Sequence, residues 1–177
     1  LLRSACLRTS SGLNVIAAPL DILPLEAIGA DQVLGIVELA LNEFDTVYLD
    51  LPGNWSNWSL SLVARSQAIL LVVEASIASL RQARRQIALL HSQGLGHLPL
   101  QIVVNRVEKK LFRTISLADV ERVLGQPASY SIANDFHLVS AALDQGMLVS
   151  DAKPGSKVAK DVAELVEGCE ALFGREF

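Results

Sequence analysis

An unbroken apolar run is the feature that most constrains the fold of this chain. Residues 68–74 read AILLVVE, and a second run of similar character, LQIVVNRV, follows at residues 100–107. Such runs are typical of strands that are buried on both faces of a parallel sheet. The chain is therefore predicted to contain a mostly parallel sheet with helices packed on both of its faces.

Helical patterns separate the strand candidates along nearly the whole sequence. Strands are predicted at 13–19, 45–53, 68–74, 100–107 and 128–132, and helices at 30–42, 57–65, 76–93, 116–124, 135–145 and from 156 to the end. This alternation predicts right-handed crossovers and an α/β fold that forms a single domain over residues 1–177. The core-facing residues are predicted to be Ile77, Leu80, Ala83, Ile87 and Leu90 in the longest helix, and Val158, Val162, Leu165, Val166, Cys169 and Phe173 in the last.

The composition fits a globular domain and argues against several other classes of protein. Of 177 residues, 51% are hydrophobic, which excludes a disordered chain. A net charge of −4 argues against a nucleic-acid partner, although Arg81, Arg84 and Arg85 form one basic stripe. The two cysteines and three histidines show no metal-site spacing, and no apolar stretch reaches the roughly 18 residues of a membrane span. A cytoplasmic location is expected.

Polar residues follow the predicted strand at 45–53, where a ligand site of an α/β sheet is expected. Asp50 ends the apolar part of this segment, and Pro52 and Gly53 come next. A carboxylate in this position can hold Mg²⁺ beside nucleotide phosphates, and the Pro-Gly turn can direct a backbone N–H at the γ-phosphate. A plain structural turn is the alternative interpretation.

Two further polar pairs follow the next strands of the predicted sheet. Asn105 and Arg106 end the strand at 100–107, and Asn134 and Asp135 come after the strand at 128–132. An asparagine amide can donate to and accept from an adenine edge, and an arginine can stack on a base or bind a phosphate. The alternatives are a turn cap at Asn105 and a helix N-cap at Asn134 or Asp135.

The order of these motifs resembles the MinD/ParA group of deviant-Walker ATPases and, more narrowly, the TadZ/CpaE pilus-assembly proteins. The matching stretches are SGLNVIAAPLD, FDTVYLDLPG, AILLVVE, SIASLRQARRQIALL, LQIVVNRV, ISLADVERVLG, SIANDFHLVSAALDQGMLV and PGSKVAKDVAELV. The resemblance implies a P-loop NTPase fold that binds ATP and Mg²⁺. It implies that Asp50 holds the metal beside the switch turn of Pro52 and Gly53. It also implies that Asn105 contacts the base with Arg106 beside it, and that Asn134 and Asp135 form a second loop on the base side. The chain departs from the family's pattern at Ala133, where proline is usual, and at Glu74.

The phosphate-binding loop of that family is missing from the 177 residues. No GxxxxGK followed by Ser or Thr occurs, and Pro154-Gly155-Ser156-Lys157 is interpreted as a helix start. The chain is therefore expected to begin after the first strand of the fold and to bind ATP weakly by itself. The resemblance implies that the intact protein binds Mg-ATP and forms a homodimer. It also implies a role with pilus-assembly or polar-localisation proteins of a Tad/Flp system, at the pole or at a membrane through partners.

Three alternatives stay open at the level of sequence. A non-catalytic dimerising scaffold with a vestigial nucleotide site would share this fold. Trp55 and Trp58 either pack in the core or form a nucleotide-sensitive interface. The basic loop at 108–115 is either a lid or a solvated surface loop. An α/β enzyme with a nucleophilic serine is disfavoured, because no GxSxG elbow occurs.

Overall fold

The computed structural model describes residues 2–9, 11–17, 29–53, 55–108 and 115–173. Two compact units are distinguished by their internal contacts, Leu1–Ser66 and Gln67–Phe177, and each is considered by itself. The predicted loop at 108–115 lies outside the described residues except at its two ends, and the Phe173 side chain lies outside them as well.

The first unit is mainly helical. Its elements are α1 (Leu2–Ala5), β1 (Leu7–Arg8), β2 (Asn14–Val15), α2 (Ala30–Leu41) and α3 (Asn57–Val63). Helix α2 packs against α3, and Val37, Ala40, Leu62 and Val63 are buried. Ser56 begins α3, because its hydroxyl accepts a hydrogen bond from the Ser59 backbone N–H.

The strand predicted at 13–19 is wrong in its extent and in its partner. Only Asn14–Val15 is a strand, and it pairs antiparallel with Leu7–Arg8 in a small hairpin; residues 18 and 19 lie outside the described part of the chain. The turn closes through a hydrogen bond from Gly12 N to Thr9 O (3.0 Å), with Gly12 at a φ of 88°. Local turn bonds thus favour a hairpin over a strand of the parallel sheet.

The strand predicted at 45–53 does not form. Val47, Leu49 and Leu51 are half-buried and Tyr48 and Asp50 are exposed, so the alternation typical of an extended segment is present. A strand also needs a neighbour that bonds to its backbone, and no described residue pairs with this segment in a ladder. The apolar pattern therefore predicted the side-chain alternation correctly but not the sheet.

The second unit is the predicted α/β layer structure. It contains β3 (Ile69–Glu74), α4 (Ile77–Ser92), β4 (Leu100–Val107), α5 (Leu117–Leu124), β5 (Ala128–Ala133), α6 (Phe136–Asp144), α7 (Val149–Ala152) and α8 (Lys157–Phe173). The strands form a parallel sheet in the order β3-β4-β5, with Val72 opposite Val103 and Val103 opposite Tyr130. The predicted α/β fold with a parallel sheet is confirmed.

The core lies on one face of this sheet, beneath α4 and α5. Alternate residues of β3 and β4 enter it, as the twofold period of a strand requires. The cluster consists of Leu71, Val73, Leu80, Ala83, Ile87, Ile102, Val104, Val120 and Leu124. Helix α8 packs against β5 on the opposite face, where Gly168 lies directly against the Tyr130 ring.

Three residues predicted to face the core are exposed instead. Ile77 is 65% exposed, because it occupies the first turn of α4, next to the cap residue Ser76. Val162 and Val166 are exposed because the buried stripe of α8 runs through Val158, Asp161 and Cys169. Val162 follows the buried Asp161 by one position and Val166 follows the half-buried Leu165 by one position, which is about 100° around the helix.

Asp119 makes the N-terminus of α5 sensitive to acid. Its carboxylate accepts hydrogen bonds from the Ser116 backbone N–H (2.9 Å) and hydroxyl (2.7 Å), and Arg122 pairs with it. The Ser116 hydroxyl is the main reason that the pKa of Asp119 lies below its ordinary value of 3.8. The stabilisation that the ionised Asp119 carboxylate provides is present above pH 3.8. It is lost as the pH falls through the lowered pKa that this carboxyl has in the folded chain.

We therefore expect Asp119→Ala to lower the free energy of unfolding at neutral pH. The loss relative to the unchanged chain should shrink at a pH below the folded-state pKa of this carboxyl. Urea unfolding of both chains at the two pH values measures the difference. An equal loss at both would contradict a role for the ionised carboxylate.

Candidate functional site

The polar residues that were predicted for a site in the second unit lie at the C-terminal edge of the parallel sheet. Strands β3 and β4 stay in register to the pair Glu74 and Asn105. Between β4 and β5 the register shifts, since Val104 lies opposite Ser131 and Val107 opposite Ala133. Two residues of β4 therefore face one residue of β5, which is the arrangement of a β-bulge. The bulge falls on Asn105 and Arg106, the residues predicted to contact a base.

Arg106 has an unusual backbone conformation at this bulge. Its φ is 55°, and no other described residue except glycines has a positive φ. An L-residue in the left-handed region costs roughly 1–2 kcal/mol, so the surroundings must hold it there. The Asn105 side-chain oxygen accepts a hydrogen bond from the Arg106 backbone N–H (2.8 Å), and Glu74 pairs with the Arg106 guanidinium (3.0 Å). Strain of this kind is concentrated at functional sites.

The residues after β5 are joined to the same edge. The Asn134 backbone N–H donates to the Val107 carbonyl (2.9 Å), and its side-chain amide donates to Glu108 (2.9 Å). Asp135 accepts a hydrogen bond from the Leu138 backbone N–H (3.1 Å) and is the N-cap of α6. The capping role that the sequence left open for Asp135 is thus present. The structure brings together four predicted residues: Asn105, Arg106, Asn134 and Asp135.

One residue of this region was missed by the sequence analysis. Asp161 of α8 is only 3% exposed, and its carboxylate accepts a hydrogen bond from the Ala133 backbone N–H (2.9 Å). Lys157 forms an ion pair with the other carboxylate oxygen, and this hydrogen bond raises the pKa of the Lys157 ammonium above its ordinary value of 10.5. The sequence signal for the burial of Asp161 is helical spacing. Asp161 lies three residues after Val158 and eight before Cys169, both of which are buried.

Asp50, Pro52 and Gly53 belong to the first unit, and all three are exposed. Their roles beside a metal and a phosphate stay predictions. Within the described ranges, no cluster of three or more His, Cys, Asp or Glu residues could hold a metal ion. The string at 154–157 is confirmed as a helix start, because the Ser156 hydroxyl accepts from the Ala159 backbone N–H. None of the helices in the described part of the chain is long and apolar enough to cross a membrane.

Comparison with known proteins relates the chain to the MinD/ParA ATPases. No protein-family model matches it. The septum site-determining protein MinD of Synechocystis is 26% identical over 154 residues, which are 84% of this chain and 57% of that protein. The chain thus spans little more than half the length of this relative. The sequence relatives and the solved structures together support a relationship to MinD/ParA-family ATPases.

Two solved structures show the same fold. A ParA family ATPase from Chlorobium tepidum superposes with a TM-score of 0.85 at 20% identity, over 94% of this chain and 67% of that one. A MinC:MinD cell division protein complex from Aquifex aeolicus matches with a TM-score of 0.65 at 23% identity, over 80% of this chain and 60% of that one. The chain shares its fold with these ParA and MinD structures.

Proposed function

We propose that this chain supplies the base-binding side of an ATP site in a MinD/ParA-like switch protein. The observation that carries the proposal is the strained bulge at Arg106, held by Asn105 and Glu74 at the C-terminal edge of the sheet. Ligands of open α/β sheets bind beyond this edge. The relationship to MinD and ParA ATPases supports ATP as the ligand.

The hydrogen bond inside the bulge orients the amide of Asn105. Its oxygen already accepts from the Arg106 backbone N–H, so the amide nitrogen is the group left to donate to a ligand. A donor in this position fits N7 of a purine, and the second lone pair of the amide oxygen fits the exocyclic N6 amine of adenine. Guanine presents an acceptor in place of that amine. The site is therefore expected to prefer adenine.

Asp50 is the residue of the chain that would hold Mg²⁺. Its carboxylate is exposed, and an acid of this type is a suitable magnesium ligand. Phosphate oxygens and water usually complete the ligand set of Mg²⁺ at nucleotide sites, and they would do so here. When bound, the metal would neutralise charge on the phosphates. Pro52 and Gly53 would place a backbone N–H near the γ-phosphate.

Weak ATP binding is expected from the chain alone. None of its 177 residues forms the Gly-rich, Lys-containing loop that supplies most phosphate contacts in P-loop proteins. The base contacts remain and should decide selectivity. The proposal therefore predicts a clear preference among nucleobases despite a low affinity.

Calorimetric titration of ATP, GTP and tripolyphosphate tests the proposal. We expect ATP to bind more tightly than GTP, and Asn105→Ala to weaken ATP binding about tenfold, the effect of losing one to two hydrogen bonds. Asn42→Ala, the same change at an exposed position after α2, is the matched control and should leave binding unchanged. Equal affinity of ATP and GTP, or no loss in Asn105→Ala, would contradict the base site.

We further propose a TadZ/CpaE-like role in the assembly or localisation of a Tad/Flp pilus, with the protein cytoplasmic and directed to the pole or membrane by partners. This step rests on the resemblance in motif order. The expected result is that deletion of the gene reduces the number of surface pili, and that a chain with Asn105→Ala restores fewer pili than the unchanged chain does. Normal piliation after deletion would contradict the role.

A non-catalytic dimerising scaffold with the same fold and a vestigial nucleotide site is the alternative function. The two functions differ in the link between ATP and dimerisation. A switch should dimerise more strongly when Mg-ATP is present, whereas a scaffold should dimerise equally with and without it. Sedimentation velocity under both conditions distinguishes the two functions.

A further inference from the structure

We infer that Asp161 is a positioning residue that fixes the base-side loop after β5. The loop begins at Ala133 and includes Asn134 and Asp135. The effect on a bound base rests on the proposed function, whereas the effect on the loop itself does not.

The first argument is the burial of the Asp161 carboxylate. An aspartate is rarely this buried unless its oxygens are paired. Both oxygens of Asp161 have partners, one of which is the Ala133 backbone N–H, 28 residues away in sequence. The α8 N-terminus does not need this side chain, because Ser156 already caps it. One carboxylate oxygen therefore holds the loop, while the other pairs with Lys157 of the same helix.

The second argument is how the loop is held. Three consecutive residues are fixed by three different elements of the second unit. Ala133 bonds to Asp161 of α8, Asn134 to the Val107 carbonyl of β4, and Asp135 caps α6. Of the three, the Ala133 bond is the one made to a buried carboxylate, and charge-assisted hydrogen bonds are the stronger kind. Asp161 thus anchors the point at which β5 ends and the loop begins.

The third argument is the direction of the Ala133 N–H. It points to α8 and so takes no part in the ladder with β4. If Asp161 were removed, this donor would lose its partner, while the β4–β5 ladder and the Ser156 cap would keep theirs. The loss of hydrogen bonding is therefore expected to be confined to the start of the loop.

Two variants and a control test the inference. Asp161→Ala removes the acceptor. Asp161→Asn keeps an oxygen for Ala133 but removes the charge that pairs with Lys157. Glu167→Ala, at an exposed position on the same helix, is the control for loss of an acid from α8. Circular dichroism establishes that each variant is folded before comparison.

Amide hydrogen exchange, followed residue by residue by NMR, is the first readout. In Asp161→Ala we expect exchange at Ala133 to speed up about tenfold or more, and exchange at Asn134 to rise as well, relative to Glu167→Ala. Asp161→Asn should recover most of the protection. If Asp161→Ala does not fold, Ala133→Pro, which removes the donor instead, is compared with Asp161→Asn; exchange at Asn134 should speed up in Ala133→Pro and stay largely protected in Asp161→Asn. Unchanged exchange at these amides in the folded variants would overturn the inference.

Ligand binding is the second readout and separates positioning from general stability. Asp161→Ala should weaken ATP binding several-fold and leave tripolyphosphate binding unchanged, since only ATP carries a base. An equal loss for both ligands would overturn the positioning role. If the unchanged chain distinguishes no base at all, the proposed function fails, and the exchange result alone decides whether Asp161 fixes the loop.

Discussion

Replacing Ile102 by alanine is expected to lower the free energy of unfolding by about 2–5 kcal/mol, the usual cost of removing a large buried aliphatic side chain. Ile102 is fully buried in β4, where residues of β3, α4 and α5 surround it. Close packing on several sides limits how far the core can collapse into the space left behind. Urea unfolding at constant pH measures the change.

Val72→Ala is the matched control for this prediction. Val72 lies in the adjacent strand β3 but on the opposite face, and it is 59% exposed. At this exposed position only the lower strand propensity of alanine should affect stability. The free energy of unfolding is therefore expected to fall by less than about 1 kcal/mol. Comparable losses for both variants would show that the face beneath α4 and α5 is not the main core.

Gly168→Ala is expected to destabilise the chain by about 1–3 kcal/mol through overpacking. A Cβ added at Gly168 would overlap the Tyr130 ring, which packs between α8 and β5. The clash must exceed the roughly 1 kcal/mol that alanine gains over glycine inside a helix. Thermal unfolding of the variant measures the balance of the two effects.

Gly35→Ala makes the same change in α2, where the added Cβ would have no described atom within 4 Å apart from its chain neighbours and the backbone of its own helix. It should stabilise the chain by up to about 1 kcal/mol. Opposite signs for the two substitutions would support close packing of α8 on β5, which also sets the position of Asp161. A stabilising Gly168→Ala would contradict that packing.

The parts of the fold that sequence predicted well are those with local causes. The apolar runs at 68–74 and 100–107 became β3 and β4, because largely apolar runs of this length are typical of parallel strands. Ser76 and Ser116 begin the predicted helices, since their hydroxyls accept from backbone N–H groups three residues on. Each of these outcomes depends on a few consecutive residues.

The parts that failed depend on distant partners. The segment at 45–53 has a strand-like pattern, but pairing is decided by whether another strand lies beside it. Val162 and Val166 fit an apolar helical face, yet the row that faces β5 includes Asp161 instead. The spacing within α8 indicates that Asp161 lies on the buried face, but it does not reveal Ala133 as the hydrogen-bond partner.

The location of the candidate site could be predicted from the topology of the parallel sheet. Parallel strands end at one edge, so Asn105, Arg106, Asn134 and Asp135 had to meet if the strand assignments were right. The left-handed backbone of Arg106 and its pairing with Glu74 were not predictable. They follow from a register shift between β4 and β5, which is a property of the paired strands and not of either sequence alone.

The most direct test of the central claim is an NMR titration of the chain with Mg-ATP, followed by the shifts of assigned amides. We predict that the largest shifts fall on the Asn105 side-chain amide and on the backbone amides of Arg106 and Asn134. Tripolyphosphate should not reproduce them. Shifts that are spread over the surface, or that the two ligands share in full, would contradict a base site at this edge of the sheet.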